Sequence, residues 1–181
     1  MADGLIIDWC DEPGQVAELA AFFAANLTPE YISHSELMGP RARGPRQWSP
    51  DIVAVLEKDF RARCGADHGP PPPGEATKHA IAARKGGKLA GVAMLTFSAE
   101  AAAPFGIVED IVVDNRARAQ KLGSEMMSWI MAAFRAAGLK RAFLESGEGN
   151  HHAHRFFERW GFHTVSVVMM SELPPSGGEA R

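Results

Sequence analysis

Apolar positions along the chain alternate between the period of a strand and the period of a helix. Leu5 to Trp9 is a short β-rich run, and apolar residues then recur at helical spacing over residues 14 to 26. Helical spacing returns over residues 51 to 60, where Ser49 suits the N-cap and Pro50 the first helical position. The first third of the chain therefore predicts one strand followed by two helices.

The middle of the chain has the pattern of paired strands. Residues 78 to 84 and 89 to 97 are strand-like and are joined by a short glycine turn, which predicts an antiparallel hairpin. Ile107 to Val113 is apolar on both alternating faces except for Glu109 and Asp110, as expected of a central strand covered on both sides.

Helical and strand patterns then alternate towards the end of the chain. Residues 122 to 134 form one apolar helix face, which Gly138 ends, and Leu139 to Ser146 predicts a further strand. A helix is expected over residues 151 to 160, followed by a strand over 162 to 170. The order strand, helix, strand predicts a βαβ unit with a right-handed crossover.

Two stretches interrupt this periodicity. Residues 27 to 50 are rich in Pro and Gly and predict a long irregular loop, and loops of that length are often functional. Residues 69 to 74 predict an extended segment on the surface of the protein. This segment is not a domain boundary, because the part of the chain before it has too few elements for a core of its own. We expect one domain over 1–173 and a frayed tail over 174–181.

Composition narrows the class of protein. Hydrophobic residues make up 46% and charged residues 23% of 181 positions, and the net charge of -3 gives no general attraction to nucleic acid. No apolar run reaches the roughly 20 residues of a membrane span, and no signal-peptide pattern follows Met1, which favours the cytoplasm. Cys10 and Cys64 lack CxxC spacing, so reduced thiols are expected.

The turn from Arg118 to Gly123 lies where an anion would bind. It follows the apolar strand Ile107 to Val113 and opens the next helix. Amides of a helix start lack partners, and the helix dipole adds positive charge there. The placement predicts a phosphate cradle.

A second motif, Asn150-x-x-Ala153-x-x-Phe156-Phe157-Glu158-x-Trp160-Gly161-Phe162, follows at the expected distance. Together the two motifs resemble the GNAT superfamily of acyl-CoA N-acyltransferases over residues 78 to 173. Lys121 and Ala119 stand where that family commonly has glycine. The resemblance implies an α/β (α+β) fold with a mixed sheet of six to seven strands, splayed between strands four and five and flanked by about four helices.

The resemblance also implies acetyl-CoA as co-substrate, bound in the splayed opening. Asn150 matches a family residue near the thiol, and it can equally serve as the helix N-cap. The cofactor-binding residues implied are Ile111, Val112, Val113, Arg118, Ala119, Gln120, Lys121, Leu122, Gly123, Ser124, Asn150 and Phe157.

Transfer to an amine needs a base for the ammonium and an acid for the thiolate. Glu109 is the predicted base, with a salt-bridged structural role as the alternative, and Asp110 favours the structural role more strongly. The family often has a tyrosine acid at the position of Phe157, so Tyr31, Ser146, a nearby histidine or solvent must replace it. A strand amide near Ile111 is expected to hold the oxyanion.

In the family the region between the first strand and the second helix commonly covers the acceptor. The residue types in this loop suit a small zwitterionic or anionic amine. No metal is expected, because His151 and His154 lack an obvious third ligand. The acceptor-binding residues predicted are Tyr31, His34, Glu36, Arg41 and Glu109.

The leading interpretation is an N-acetyltransferase that acts on a primary amine of a small metabolite by direct attack in a ternary complex. The alternatives are a protein lysine or N-terminal acetyltransferase, which needs an open groove, and a non-catalytic acyl-CoA sensor. No nucleic-acid or membrane partner is expected, and the resemblance favours a homodimer.

Overall fold

A five-stranded sheet forms the middle of the protein in the computed structural model, which describes residues 4–116 and 121–173. Its strands are β1 (Leu5–Trp9), β4 (Ala76–Lys85), β5 (Lys88–Ser98), β6 (Phe105–Val113) and β7 (Arg141–Leu144). They lie side by side in the order β1-β4-β5-β6-β7, and every neighbouring pair is antiparallel except β6 and β7, which are parallel. Two short strands, β2 (Ala42–Gly44) and β3 (Gln47–Trp48), form a separate sheet.

Helices cover both faces of the large sheet. They are α1 (Val16–Asn26), α2 (His34–Met38), α3 (Ile52–Arg61), α4 (Leu122–Ala136) and α5 (His151–Glu158). One core packs α1 and α3 against the sheet around Phe23, Leu56 and Phe60. The other core packs α4 and α5 on the opposite face around Met126 and Phe134. The α/β class and the mixed sheet predicted from sequence are confirmed.

The splay in the sheet lies between its fourth and fifth strands, as predicted. Strand β7 pairs with β6 only from Phe105 to Val108, and the last pair joins Val108 to Leu144. Residues 109–113 of β6 run on past the end of β7. The two strands therefore leave a gap beside the second half of β6.

A bulge divides β6. Met94 of β5 is opposite Asp110 and Leu95 is opposite Val108, so Glu109 is the extra residue. Val108 packs in the α4 core, whereas Val112 packs in the α1 and α3 core. The bulge reverses the alternation, so Glu109 and Asp110 both contact residues on the α1 and α3 side.

Two sequence predictions are wrong. Residues 162–170 form no strand, because the described structure supplies no neighbouring strand, and Val167 is 80% exposed. The expectation of reduced thiols is also wrong. Cys10 and Cys64 are 54 positions apart in sequence, but the fold brings their Cα atoms to 4.9 Å from each other, and the two residues form a disulfide. The predicted tail, 174–181, lies outside the described residues, and the domain division stays a prediction.

The loop predicted over residues 27 to 50 contains the short helix α2 and the small sheet. Ser33 caps α2 in a capping box with Glu36, whose carboxylate accepts the Ser33 amide at 2.9 Å. Within the described parts of the chain, no helix is both long and apolar enough to cross a membrane.

Candidate active site

A cavity of about 650 Å³ opens where β6 and β7 separate. Its wall includes the second half of β6, the end of β7 and the starts of α4 and α5, with residues 28 to 36 covering it. The predicted site residues that line the cavity are Tyr31, Glu36, Glu109, Ile111, Val112, Val113, Lys121, Gly123, Ser124, Ser146, Asn150 and Phe157.

Other predicted residues lie elsewhere. Leu122 is 3% exposed and packs in the core, and neither His34 nor Arg41 belongs to the cavity wall. Three cradle residues, Arg118, Ala119 and Gln120, lie outside the described part of the chain.

The start of α4 faces the cavity with positive charge. Lys121 adopts the left-handed conformation, with φ of 58°, and its carbonyl accepts the amide of Ser124 at 2.9 Å. The amides that precede Ser124 come too early in the helix for an intrahelical acceptor, so this end suits an anion. Gly123 leaves room beside Phe156, whose ring would contact a Cβ there at 3.4 Å.

Helix α5 closes another side of the cavity. The Asn150 side chain accepts the Ala153 amide at 3.3 Å, so Asn150 is the N-cap that sequence reasoning offered as one of its roles. Phe157 is 8% exposed and packs against Phe156 and Phe162. It contributes apolar surface and no hydroxyl at the place where the family often has a tyrosine.

Glu109 is held by hydrogen bonds from Arg63 and Thr96, and Lys78 adds a second positive charge nearby. Its Oε2 accepts Arg63 Nε at 3.0 Å and also Arg63 Nη2, while its Oε1 accepts the Thr96 hydroxyl at 2.7 Å. Burial raises the pKa of Glu109, but the Arg63 charge and these hydrogen bonds outweigh it, so the pKa lies below its ordinary value. This arrangement matches the salt-bridged role and opposes the role of base.

Asp110 lies deeper, at 2% exposure, and contacts the only tyrosine of the chain. The Tyr31 hydroxyl donates to Asp110 Oδ1 at 3.0 Å and accepts the Ile111 amide at 3.3 Å. Arg41 Nη1 donates to both Asp110 oxygens, at 3.1 and 3.0 Å. The Ile111 amide, predicted to hold the oxyanion, is therefore engaged by Tyr31 in this structure.

Two pKa shifts accompany this contact. Burial raises the pKa of Asp110, and the Arg41 charge opposes the rise without cancelling it. Burial and the Asp110 charge raise the pKa of Tyr31 well above its ordinary value. Tyr31 is therefore a protonated hydroxyl at neutral pH.

Residues 28 to 36, which cover the cavity, are bonded to the residue that follows β7. Glu145 accepts hydrogen bonds from the Ser33 hydroxyl and from the Ser35 amide, the latter at 3.2 Å, and lies 2.8 Å from His34 Nδ1. Glu145 and Ser33 line the cavity and were not predicted, although Glu145 directly precedes the predicted Ser146. Arg63 was missed because no sequence spacing relates it to Glu109.

Among the residues that the structure describes, no group of three or more His, Cys, Asp or Glu side chains is placed to hold a metal ion. His151 and His152 line the cavity without such a group.

The profile of the Acetyltransferase (GNAT) family matches residues 46–162, which is more than half of the chain. The protein belongs to the GNAT acetyltransferase family. A comparison with curated proteins finds no match.

Solved structures share the fold of this GNAT protein at low identity. An aminoglycoside 6'-N-acetyltransferase from Acinetobacter baumannii has a TM-score of 0.65 and 12% identity, covering 94% of this chain and 99% of that one. A ribosomal-protein-alanine N-acetyltransferase from Brucella melitensis has a TM-score of 0.60 and 12% identity, covering 94% and 100%. A transcriptional regulator from Bacillus halodurans has a TM-score of 0.63 and 16% identity, covering 94% and 100%.

Proposed function

We propose that this GNAT protein transfers the acetyl group of acetyl-CoA to a primary amine of a small molecule. The observation that carries the proposal is the cavity itself, which joins a helix N-terminus beside Lys121 to a polar end containing Tyr31 and Glu109. The first end suits the pyrophosphate of coenzyme A, and the edge of β6 at Val112 and Val113, beyond the Ile111 amide that Tyr31 engages, suits the amides of pantetheine.

The covered shape of the cavity supports a small acceptor over a protein side chain. Residues 28 to 36 line the cavity, and the bonds to Glu145 hold their far end against β7. A protein substrate would need an open groove in the place that Tyr31 and Ser33 occupy.

The state of the two cysteines favours direct attack in a ternary complex over transfer through an acetylated cysteine. The only two cysteines, Cys10 and Cys64, are joined to each other and are absent from the cavity wall. Neither thiol is available to carry the acetyl group while the disulfide is intact.

The experiment combines binding with turnover. Calorimetry with acetyl-CoA is followed by thiol release in the presence of a panel of primary amines, amino acids and peptides with a free N-terminus or lysine. We expect binding and turnover with at least one small amine. Binding without turnover on any acceptor would refute the enzyme in favour of a sensor, and turnover on peptides alone would refute the small acceptor.

A further inference from the structure

Glu109 and Asp110 are adjacent on β6 but differ in how their charge is balanced. Glu109 pairs with Arg63, and Lys78 adds further positive charge near it. Asp110 instead shares Arg41 with Asp59, which accepts Arg41 Nη2 at 2.7 Å and Nε at 2.9 Å.

Glu36 adds a further negative charge beside Arg41. Its Oε1 lies 3.6 Å from Arg41 Nη1, and the Glu36 residue is only 5% exposed. The charged groups that face Asp110 are therefore Arg41 from the start of the small sheet, Glu36 from α2 and, through Arg41, Asp59 from α3. Negative charge exceeds positive charge in this cluster.

The two carboxylates consequently differ in the cost of taking up a proton. Protonation of Glu109 would leave the Arg63 guanidinium, whose side chain is 8% exposed, without its carboxylate partner, and an uncompensated buried charge is costly. Protonation of Asp110 would leave Arg41 paired with Asp59 and would reduce the excess of negative charge.

Asp110 lines the cavity but is only 2% exposed, and Tyr31 extends its reach towards an acceptor amine. The Tyr31 hydroxyl already points its proton at Asp110 Oδ1, across 3.0 Å, and Tyr31 lines the cavity. A phenolic oxygen has two lone pairs, and the Ile111 amide uses one of them. The second lone pair can accept an N–H of an ammonium group in the cavity.

We propose that Tyr31 passes the first proton of the acceptor ammonium to Asp110, and that Glu109 is a structural partner of Arg63. This inference rests on the proposed acetyltransferase function. The ammonium proton goes to the Tyr31 oxygen as the Tyr31 proton goes to Asp110 Oδ1, so the neutral amine is formed beside the thioester.

The remaining steps account for every proton and bond. The amine nitrogen forms a bond to the thioester carbonyl carbon, and the carbon–sulfur bond then breaks with its electron pair on sulfur. The second nitrogen proton goes to the departing thiolate, and Asp110 releases the first proton to solvent through Tyr31. Tyr31 touches the substrate in this scheme, whereas Asp110 acts through it.

The experiment compares pH profiles of kcat/KM for Tyr31→Phe and Glu109→Gln, using the amine that the wild type acetylates fastest. Tyr31→Phe is expected to lower kcat about 100-fold and to move the acid limb of the profile up towards the pKa of the acceptor amine, because only amine that is already neutral can then react. Glu109→Gln lowers the rate through the lost Arg63 pairing and keeps the acid limb. Glu57→Gln, on the surface of α3, is the control with an unchanged profile.

A second measurement needs no acceptor. Because Tyr31 is the only tyrosine, the ultraviolet absorbance of tyrosinate reports this residue alone. Its pKa is expected to lie above the ordinary value in the wild type and to fall in Asp110→Asn, which removes the neighbouring charge. Circular dichroism checks that each variant is folded.

Opposite results would overturn the inference. An acid limb that keeps its position in Tyr31→Phe and moves to higher pH in Glu109→Gln assigns the base to Glu109. A Tyr31 pKa that is unchanged in Asp110→Asn refutes the contact, even if no acceptor is found. If the wild type shows no turnover while the Tyr31 pKa falls in Asp110→Asn as expected, the proposed function is refuted and the contact between Tyr31 and Asp110 stands.

Discussion

Gly147 lies directly against the backbone of Ile32. A Cβ at position 147 would lie 2.5 Å from the Ile32 carbonyl oxygen and 2.5 Å from the Glu30 carbonyl oxygen. These oxygens flank Tyr31 in the chain, so the loop after β7 sets the position of the Tyr31 segment.

Gly147→Ala is therefore expected to displace Tyr31 and to reduce turnover. Backbone atoms cannot move aside as a flexible side chain can, so a stability loss of about 1 to 3 kcal/mol should accompany it. The matched control is Gly149→Ala in the same loop, where nothing lies within 4 Å of the added Cβ. Steady-state kinetics and urea unfolding check both, and equal behaviour of the two variants would contradict the prediction.

Lys121 combines a strained backbone with a charge at the end of the cavity proposed to hold the pyrophosphate. Its φ of 58° is a conformation that glycine adopts more easily. Lys121→Gly is expected to raise the free energy of unfolding by up to about 1 kcal/mol while weakening coenzyme A binding. Lys121→Asn, which also tolerates this conformation, should weaken binding equally, and calorimetry that finds undiminished affinity in both would exclude a role for the ammonium.

His79 should make stability sensitive to mild acid. Burial and the neighbouring His68 lower the pKa of His79 to about 4, below the ordinary 6.5 that applies in the unfolded chain. The unfolded state therefore takes up a proton first, and the stability present above pH 6.5 is lost as the pH falls towards about 4.

The expected loss from this single site is on the order of 3 kcal/mol. Urea unfolding at several pH values between these limits measures it, and His79→Gln should flatten the curve by removing the titration. An unaltered slope in His79→Gln would assign the acid sensitivity to other groups. Glu109 adds a separate loss below its ordinary pKa, because its native pKa is lowered.

The disulfide joins the residue after β1 to the segment after α3. It closes a loop of 54 residues, so its removal should cost about 4 kcal/mol. Cys10→Ser and Cys64→Ser are expected to lower the melting temperature in oxidising buffer, whereas a reductant should affect only the wild type. A reductant that leaves the wild type unchanged would show that the bond is not formed in solution.

Elements with a local signal were predictable from sequence. Leu5–Trp9 is the strand that its β-rich run indicated, and α3 begins at Ile52, two residues after Pro50. The strands on either side of Gly86 form the expected hairpin. Each of these depends on propensities and turn residues within a few positions of the element itself.

Features that depend on distant partners were not predictable. The alternation over residues 162–170 indicated a strand, but a strand also requires a neighbour. Arg41 was expected to bind substrate, yet its guanidinium is bound by Asp59 and Asp110. Nothing in the spacing of the chain indicates which carboxylate lies beside which arginine, so the pairings of Glu109 with Arg63 and of Asp110 with Arg41 could not be predicted.

The bulge in β6 places two adjacent carboxylates on the same side of the sheet. Val108 and Val112 are four residues apart and would share a face in a regular strand, yet they belong to different cores because one extra residue stands between them. Deleting Glu109 would give an uninterrupted ladder in which Val108 and Val112, then three residues apart, keep their present layers. Asp110 would also keep its side, so the deletion should remove the carboxylate that pairs with Arg63 and leave the contact between Tyr31 and Asp110 in place.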